Sequence, residues 1–306
     1  MSFSRIVAHT DFDGLIAAFL IRDMFGVEDI VFTDPWLIQK KEFDIKKGDV
    51  IVDLPYDERC SLWIDHHKSN EEDADILRKE KPEKVVFDSS EPSCPGLIYT
   101  HYKEDFPFLK EPLMQEMIRA ANKIDSASFT REDLENPDVW GCLSMTLRSD
   151  DKKKDDEYKL LLLNLLSFQD PKKILEQSLV KKRLDEVLLL RERARNVLEE
   201  HAYVDEKHPV VILDLVDVDE KVPRFEPYLM FPKAAVSITI KDIRDEPSRL
   251  KVSVGKNIFY ENETNFDIGA IMKEYGGGGH AVVGGCSILR SEKEAFLSDV
   301  IDKLFK

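Results

Sequence analysis

The sequence predicts an α/β protein: a mostly parallel sheet with flanking helices at the N-terminal end, a long connector helix, and a smaller C-terminal α/β domain. Three observations carry that expectation. Short apolar runs rich in β-branched residues alternate with helical patterns as far as Asp125. No Gly or Pro interrupts the chain from Lys172 to Ala202. Beyond His208-Pro209 the apolar runs become short again.

In chain order the expected strands are residues 5–8, 29–32, 50–52, 62–64 and 85–87, with helices at 15–25, closed by Gly26, at 96–102 and at 113–123. Strands that alternate with helices call for right-handed crossovers, hence a parallel sheet whose ligands gather at the carboxyl ends of its strands. The mixed-charge run from Asp150 to Lys159 reads as a solvated surface turn, followed by a leucine-rich helix. Asp170 and Pro171 then supply an N-cap and a proline at the first helical position. A single helix over 172–202, on the order of 45 Å long, should pack through Leu175, Leu179, Leu184, Val187, Leu188, Val197 and Leu198. Strands at 210–215, 234–240 and 250–254 come next, then a helix capped by Asn265 and ending at Tyr275, a glycine run, and a last strand at 286–289. The expected boundaries are residues 1–165 for the first domain, 166–202 for the connector and 203–306 for the second domain.

The 306 residues suit about two domains. At 42% hydrophobic the chain is too apolar to be disordered. A net charge of −16 argues against binding long duplex nucleic acid, which needs a Lys/Arg excess to neutralise phosphates. A local basic pocket remains compatible with it. Cys60, Cys94, Cys142 and Cys286 form no CxxC pair, which suits a reducing compartment and speaks against a thiolate zinc site. The leucine-rich stretch 160–168 is far shorter than the roughly 20 apolar residues of a membrane span. The opening MSFSRIVAHTD has no signal-peptide pattern, so the expectation is a cytoplasmic protein without a membrane partner.

Titratable residues concentrate after the expected strands. His9, Asp11 and Asp13 alternate immediately after the first one and project the same way while the chain is extended, and Gly14 permits the turn into the helix. One aspartate would suffice as a helix cap, so three ligand-type side chains suggest imidazole and carboxylate donors for Mn²⁺, Mg²⁺, Fe²⁺ or Zn²⁺. Asp53 ends the run Val50-Ile51-Val52; alone it could be a turn starter. Asp65-His66-His67 follows another apolar strand, and such a triplet is costly to desolvate without partners. Asp125 ends a helix, where a carboxylate opposes the macrodipole unless a cation is near. At one sheet edge His9, Asp11, Asp13, Asp53, His66 and Asp125 would bring four carboxylates together, a number that fits two cations sharing a bridging carboxylate. In the second domain Gly276-Gly277-Gly278-Gly279-His280 lies between a helix and a strand, which suits a backbone approaching an anion better than a linker.

At these residues the chain resembles the DHH phosphoesterases, named for the triplet found here as Asp65, His66 and His67, and its C-terminal part resembles the DHH-associated domain through Gly276 to His280. The two domains would cover nearly the whole chain. RecJ-like and nano-RNase-like members hydrolyse short oligonucleotides, 3′-phosphoadenosine 5′-phosphate (pAp) or cyclic dinucleotides; the single residue between His9 and Asp11 is closer to the RecJ-like spacing. The resemblance implies two divalent cations, Mn²⁺ first and Mg²⁺ second. His9, Asp11 and Asp53 would hold one, and Asp13, Asp53, His66 and Asp125 the other. It further implies a catalytic set of Asp53, Asp65 and His67, with His67 on the scissile phosphate and Asp65 supporting the motif, and a substrate-binding run of Gly276, Gly277, Gly278, Gly279 and His280. The expected partner is a short nucleotide, and a homodimer is compatible with this reading. Polyphosphate or pyrophosphate hydrolysis, and a catalytically silent nucleotide sensor, are the alternatives.

Overall fold

The computed structural model describes residues 3–149, 151–261 and 265–305. In chain order the strands are β1 Arg5–His9, β2 Ile30–Thr33, β3 Asp49–Val52, β4 Leu62–Asp65, β5 Val85–Phe87, β6 Ala202–Val204, β7 Val210–Leu215, β8 Val236–Asp242, β9 Arg249–Lys256, β10 Gly278–His280 and β11 Val283–Leu289. The helices are α1 Phe12–Phe25, α2 Pro35–Gln39, α3 Glu71–Glu80, α4 Cys94–Tyr102, α5 Pro112–Asp125, α6 Arg131–Glu135, α7 Val139–Met145, α8 Lys152–Phe168, α9 Pro171–Leu175, α10 Ser178–His201, α11 Glu226–Met230, α12 Ile268–Glu274 and α13 Lys293–Leu304. They form two compact units, Met1–Phe129 with Asn136–Leu184, and Thr130–Glu135 with Asp185–Lys306.

The first unit is built on a parallel sheet in the order β2-β1-β3-β4-β5. Its strands read as continuous apolar runs because both faces are covered. The period of two sorts the side chains: Ile6, Ala8, Val50, Val52, Leu62 and Ile64 pack with α1, α4 and α5. Val7, Ile51, Trp63, Val85 and Phe87 pack on the opposite face with Ile38, Ala74 and Leu77. Between β1 and β3 the strand order reverses, so the connections leaving their carboxyl ends diverge and open a crevice. Asp11 caps α1, its Oδ1 accepting from the Gly14 amide at 3.1 Å, and Gly26 closes the helix at φ +66°.

The second unit is a mixed sheet in the order β10-β11-β9-β8-β7-β6, in which β7 and β8 are parallel and the other neighbours antiparallel. Its core includes Val236, Ile238, Ile240, Val252, Val254, Ile268 and Met272, together with Phe296, Val300 and Ile301 of α13.

Several expectations change. Residue 150, where the mixed-charge run begins, lies outside the described residues, but 152–159 form the first turns of α8 rather than a solvated turn. Asp155 and Lys159 are buried there because Asp155 Oδ1 accepts from Arg183 Nη1 at 2.8 Å and Lys159 Nζ reaches Asp156 at 3.1 Å. The expected long helix is two, α9 and α10. Ile174 and Val180 are both fully buried in the same core, yet six residues apart they would lie about 120° apart around a continuous helix; the break at Glu176-Gln177 lets both point inward. Leu179 and Leu188, assigned to its packed face, are exposed. Asp267, not Asn265, caps α12, accepting from the Ala270 amide at 2.8 Å. The helix α13, with apolar residues at Phe296, Leu297, Val300, Ile301 and Leu304, was absent from the sequence expectation although its helical spacing is plain.

Part of the glycine run is also a strand. Gly278–His280 pairs with β11 in a hairpin, Gly279 facing Gly284 and His280 facing Val283. Gly276 turns the chain at φ +73°, and a Cβ on Gly277 would lie 2.1 Å from the Gly285 carbonyl oxygen. A Cβ on Gly278 would meet nothing within 4 Å.

Candidate metal centre

The carboxyl ends of β1, β3 and β4 deliver the candidate ligands. His9 is the last residue of β1, Asp11 caps α1 and Asp13 lies in its first turn. Asp53 follows β3, and Asp65 closes β4 just before His66 and His67. Asp125 is the last residue of α5. Asp53 stands at φ +57°, left-handed backbone that costs a non-glycine residue roughly 1–2 kcal/mol. Its amide still donates to the Ile64 carbonyl at 3.0 Å, so the chain bends out of β3 without losing its pairing to β4.

Gly14 is needed for close approach rather than for a turn. A Cβ there would lie 2.4 Å from the His9 carbonyl oxygen, and its absence lets α1 start against the end of β1. That contact holds His9, Asp11 and Asp13 within one small volume.

Around Asp53 the groups converge. His9 Nδ1 lies 2.9 Å from Asp11 Oδ2 and 3.3 Å from Asp53 Oδ2. His66 Nε2 lies 3.4 Å from Asp13 Oδ2, 3.6 Å from Asp53 Oδ1 and 3.4 Å from Asp125 Oδ2. His67 Nδ1 is 3.5 Å from Asp53 Oδ1. Three sets of donor atoms are compact enough to hold an ion: His9 with Asp11 and Asp53, Asp13 with His66 and Asp125, and Asp53 with His66 and His67. Asp53 belongs to two of them.

The electrostatics show how badly this cluster needs positive charge. Burial, then the charge of Asp53, raises Asp13 well above the usual carboxylate range. Burial, then Asp11, raises Asp53 likewise, and burial with Asp13 pushes Asp125 up to about 6. Burial opposes a charged imidazole, but hydrogen bonds to Asp11 and Asp53 outweigh it and push His9 up to about 10. The carboxylates of Asp13 and Asp53 beside its Nε2 overcome the same burial penalty and push His66 up to about 11. Asp11 is held down to about 2: burial would raise it, and its bond to His9, helped by the charge of Arg148, prevails.

Protons are poor substitutes for cations here. Asp13 Oδ1, Asp53 Oδ1 and His66 Nε2 are buried without a hydrogen-bond partner among the described residues. His66 Nδ1 faces the Glu91 carbonyl at 3.1 Å and must donate to it, leaving Nε2 free to present its lone pair to a cation held among the carboxylates. Unpartnered acceptors crowded around a shared buried carboxylate match what divalent cations with oxygen and imidazole ligands require.

A second layer fixes these ligands, and apart from Asp65 the sequence did not reveal it. The Cys94 amide donates to Asp13 Oδ2 at 2.8 Å. Asp65 is fully buried, accepting from His67 Nδ1 at 2.9 Å and Asn70 Nδ2 at 2.7 Å. That hydrogen bond raises His67, whose ring remains partly exposed. Glu91 and Cys94 act through backbone atoms, so residue type gave no signal. Asn70, five residues beyond Asp65, could have been suspected only as a polar residue in a tight turn.

The six ligand-type side chains expected at the sheet edge, His9, Asp11, Asp13, Asp53, His66 and Asp125, are brought together, with His67 beside Asp53 and Asp65 bonded to His67. Gly276 to His280 belong to the second unit, where His280 is exposed at the tip of the hairpin.

A parallel sheet that gathers histidines and aspartates at its switch point, behind an Asp-His-His triplet, has the fold of the DHH phosphoesterases, hydrolases acting on phosphate esters. Among solved structures the chain is similar to the pGpG-specific phosphodiesterase PggH from Vibrio cholrae, with 26% identity over 98% of each chain and a TM-score of 0.83. It also aligns with RecJ in complex with Mn²⁺ from Thermus thermophilus, with 15% identity over 97% of this chain and 51% of that one, at a TM-score of 0.48. No family model matches the chain, and no curated protein does.

Proposed function

We propose that the protein is a two-metal phosphodiesterase of short nucleotides, and that a linear dinucleotide is the first substrate to test. The observation that carries this reading is the buried carboxylate Asp53, shared by two compact donor sets and left with an unpartnered oxygen. The likeness to PggH, which is pGpG-specific, supports the substrate class.

His9, Asp11 and Asp53 would hold one ion, and Asp13, Asp53, His66 and Asp125 the other. When bound, such ions neutralise charge on a transferring phosphoryl group and acidify water at neutral pH. The chain's own groups do the rest. Asp65 accepts from His67 Nδ1 and so aims the opposite ring nitrogen outward, where it can donate to a non-bridging phosphate oxygen. Glu91 and Cys94 hold His66 and Asp13 in place. Gly278 and His280 are assigned to substrate contact on the geometry of their own hairpin: His280 is exposed, and the fold itself makes no demand for glycine at 278.

The test is hydrolysis of di- to pentanucleotides, pAp, cyclic dinucleotides and polyphosphate with Mn²⁺ and with a chelator. Chelator-sensitive cleavage of a linear dinucleotide is expected. Cleavage of polyphosphate alone, or of nothing despite stoichiometric Mn²⁺ binding, would overturn the reading.

A further inference from the structure

Beside the metal-ligand cluster, within the first unit, lies a cavity of about 290 Å³. Thr10, between the candidate ligands His9 and Asp11, forms part of its wall, so cavity and cluster adjoin. The remaining lining is unlike the cluster: Arg148, Lys152 and Lys159 share it with Ser149 and the carboxylates Asp34 and Asp155. Both carboxylates are already engaged. Asp34 accepts from Thr10 Oγ1 at 3.3 Å and from Lys152 Nζ at 2.7 Å. Asp155 accepts from the Ser149 amide at 2.8 Å, Ser149 Oγ at 2.6 Å and Arg183 Nη1 at 2.8 Å.

Arg148 is different. It is exposed and makes no hydrogen bond or ion pair among the described residues, although its charge is felt at Asp11. Nothing in the packing explains a guanidinium there. Cations on Asp11 and its neighbours would offset the negative charge that Arg148 feels there, leaving an uncommitted fork of donors suited to a phosphate. In a chain of net charge −16, one uncommitted guanidinium at a cavity whose lysines are held by carboxylates favours a discrete anion over a polymer. The volume suits one phosphate with its sugar.

We propose that this cavity is an anion subsite in which Arg148, helped by Lys152, grips a second phosphate of the substrate, beyond the one being cleaved. The assignment rests on the phosphodiesterase reading above and adds a determinant of substrate choice. Lys152 is set by the chain of contacts from Thr10 through Asp34, so its ammonium is positioned before substrate arrives.

The experiment compares pAp with 3′-AMP, and pApA with ApA, each pair differing by one phosphate, on the full-length protein with Mn²⁺. Arg148→Ala is expected to raise KM roughly tenfold or more for the member bearing the extra phosphate, with kcat and the melting temperature little changed. KM for the other member should stay within about twofold, and Arg148→Lys should recover part of the loss, because it keeps the charge without the fork. Equal effects on both members of a pair, or none, would overturn the subsite. If the unaltered protein cleaves none of the four and no pGpG either, the phosphodiesterase reading fails separately. The same compounds are then stable ligands, and calorimetric titration with the Arg148→Ala protein decides the subsite by the same selective loss.

Discussion

Asp53 combines three features that rarely coincide: left-handed backbone at a non-glycine residue, full burial, and a carboxylate oxygen without a partner. Such a combination persists where the surroundings force it and an absent charge completes it. Asp53→Ala should therefore lower turnover by at least about a hundredfold and reduce the Mn²⁺ bound per chain, whereas Asp11→Ala, at the half-buried rim of a single donor set, should cost less of both. Steady-state kinetics at saturating Mn²⁺ and metal analysis of the purified variants provide the check. An Asp53→Ala protein that binds as much Mn²⁺ as the parent would exclude the bridging role.

Among the elements, α8 is fixed by charge inside the protein. Arg183 lies against Tyr158, 4.1 Å from guanidinium carbon to ring centroid, and donates to the Thr146 carbonyl as well as to Asp155. Burial would raise the Asp155 carboxyl, but Ser149 and Arg183 outweigh it and hold it below the usual value. A depressed folded value means that stability from this group is complete above the unfolded pKa of about 3.9 and is lost as pH falls through the folded one. Asp155→Asn should accordingly flatten the loss of stability below about pH 4, and Asp155→Ala should cost roughly 3 kcal/mol at neutral pH by stranding Arg183. Urea unfolding across pH measures both. The β10–β11 hairpin makes a different distinction. Gly277→Ala should destabilise the protein by roughly 1–3 kcal/mol, because the new methyl has no room. Gly278→Ala has room, so its melting temperature should hold while KM for a dinucleotide rises. Unchanged kinetics in Gly278→Ala would remove this glycine from the substrate site.

For the whole molecule, metal binding is an energetic statement about the first unit. Ions that bind the folded cluster and not the unfolded chain stabilise by mass action, about 2.7 kcal/mol at a hundredfold excess over Kd. Adding Mn²⁺ to chelator-treated protein should raise the melting temperature and slow amide exchange at residues 9–14, 53–54 and 65–67. Exchange in β8 and β9, whose core contains none of these ligands, should change little. Exchange mass spectrometry resolves the two regions. Equal slowing in both, or none, would contradict metal binding at this cluster.

Much of this architecture was legible in the chain itself, because its signals are local. Short continuous apolar runs, Gly26 as a stop, and aspartates directly after β-branched runs are fixed within a few residues by backbone sterics and desolvation. They located all five strands of the first sheet to within a residue at either end, and the histidines and aspartates that gather at its carboxyl edge. Elements that depend on distant partners were not legible. A run such as 152–159 reads as solvent-loving until Arg183, 28 residues beyond Asp155, arrives to pair with it. The break between α9 and α10 follows from two side chains sharing one core, and the second layer behind the ligands is made largely by backbone groups that carry no residue identity. Sequence thus determined which chemistry is present and where the strands end. Tertiary structure alone decided that Asp53 takes left-handed backbone, that the Cys94 amide holds Asp13 and that Arg148 has no partner among the described residues, because charge and burial depend on what lies nearby in space rather than along the chain.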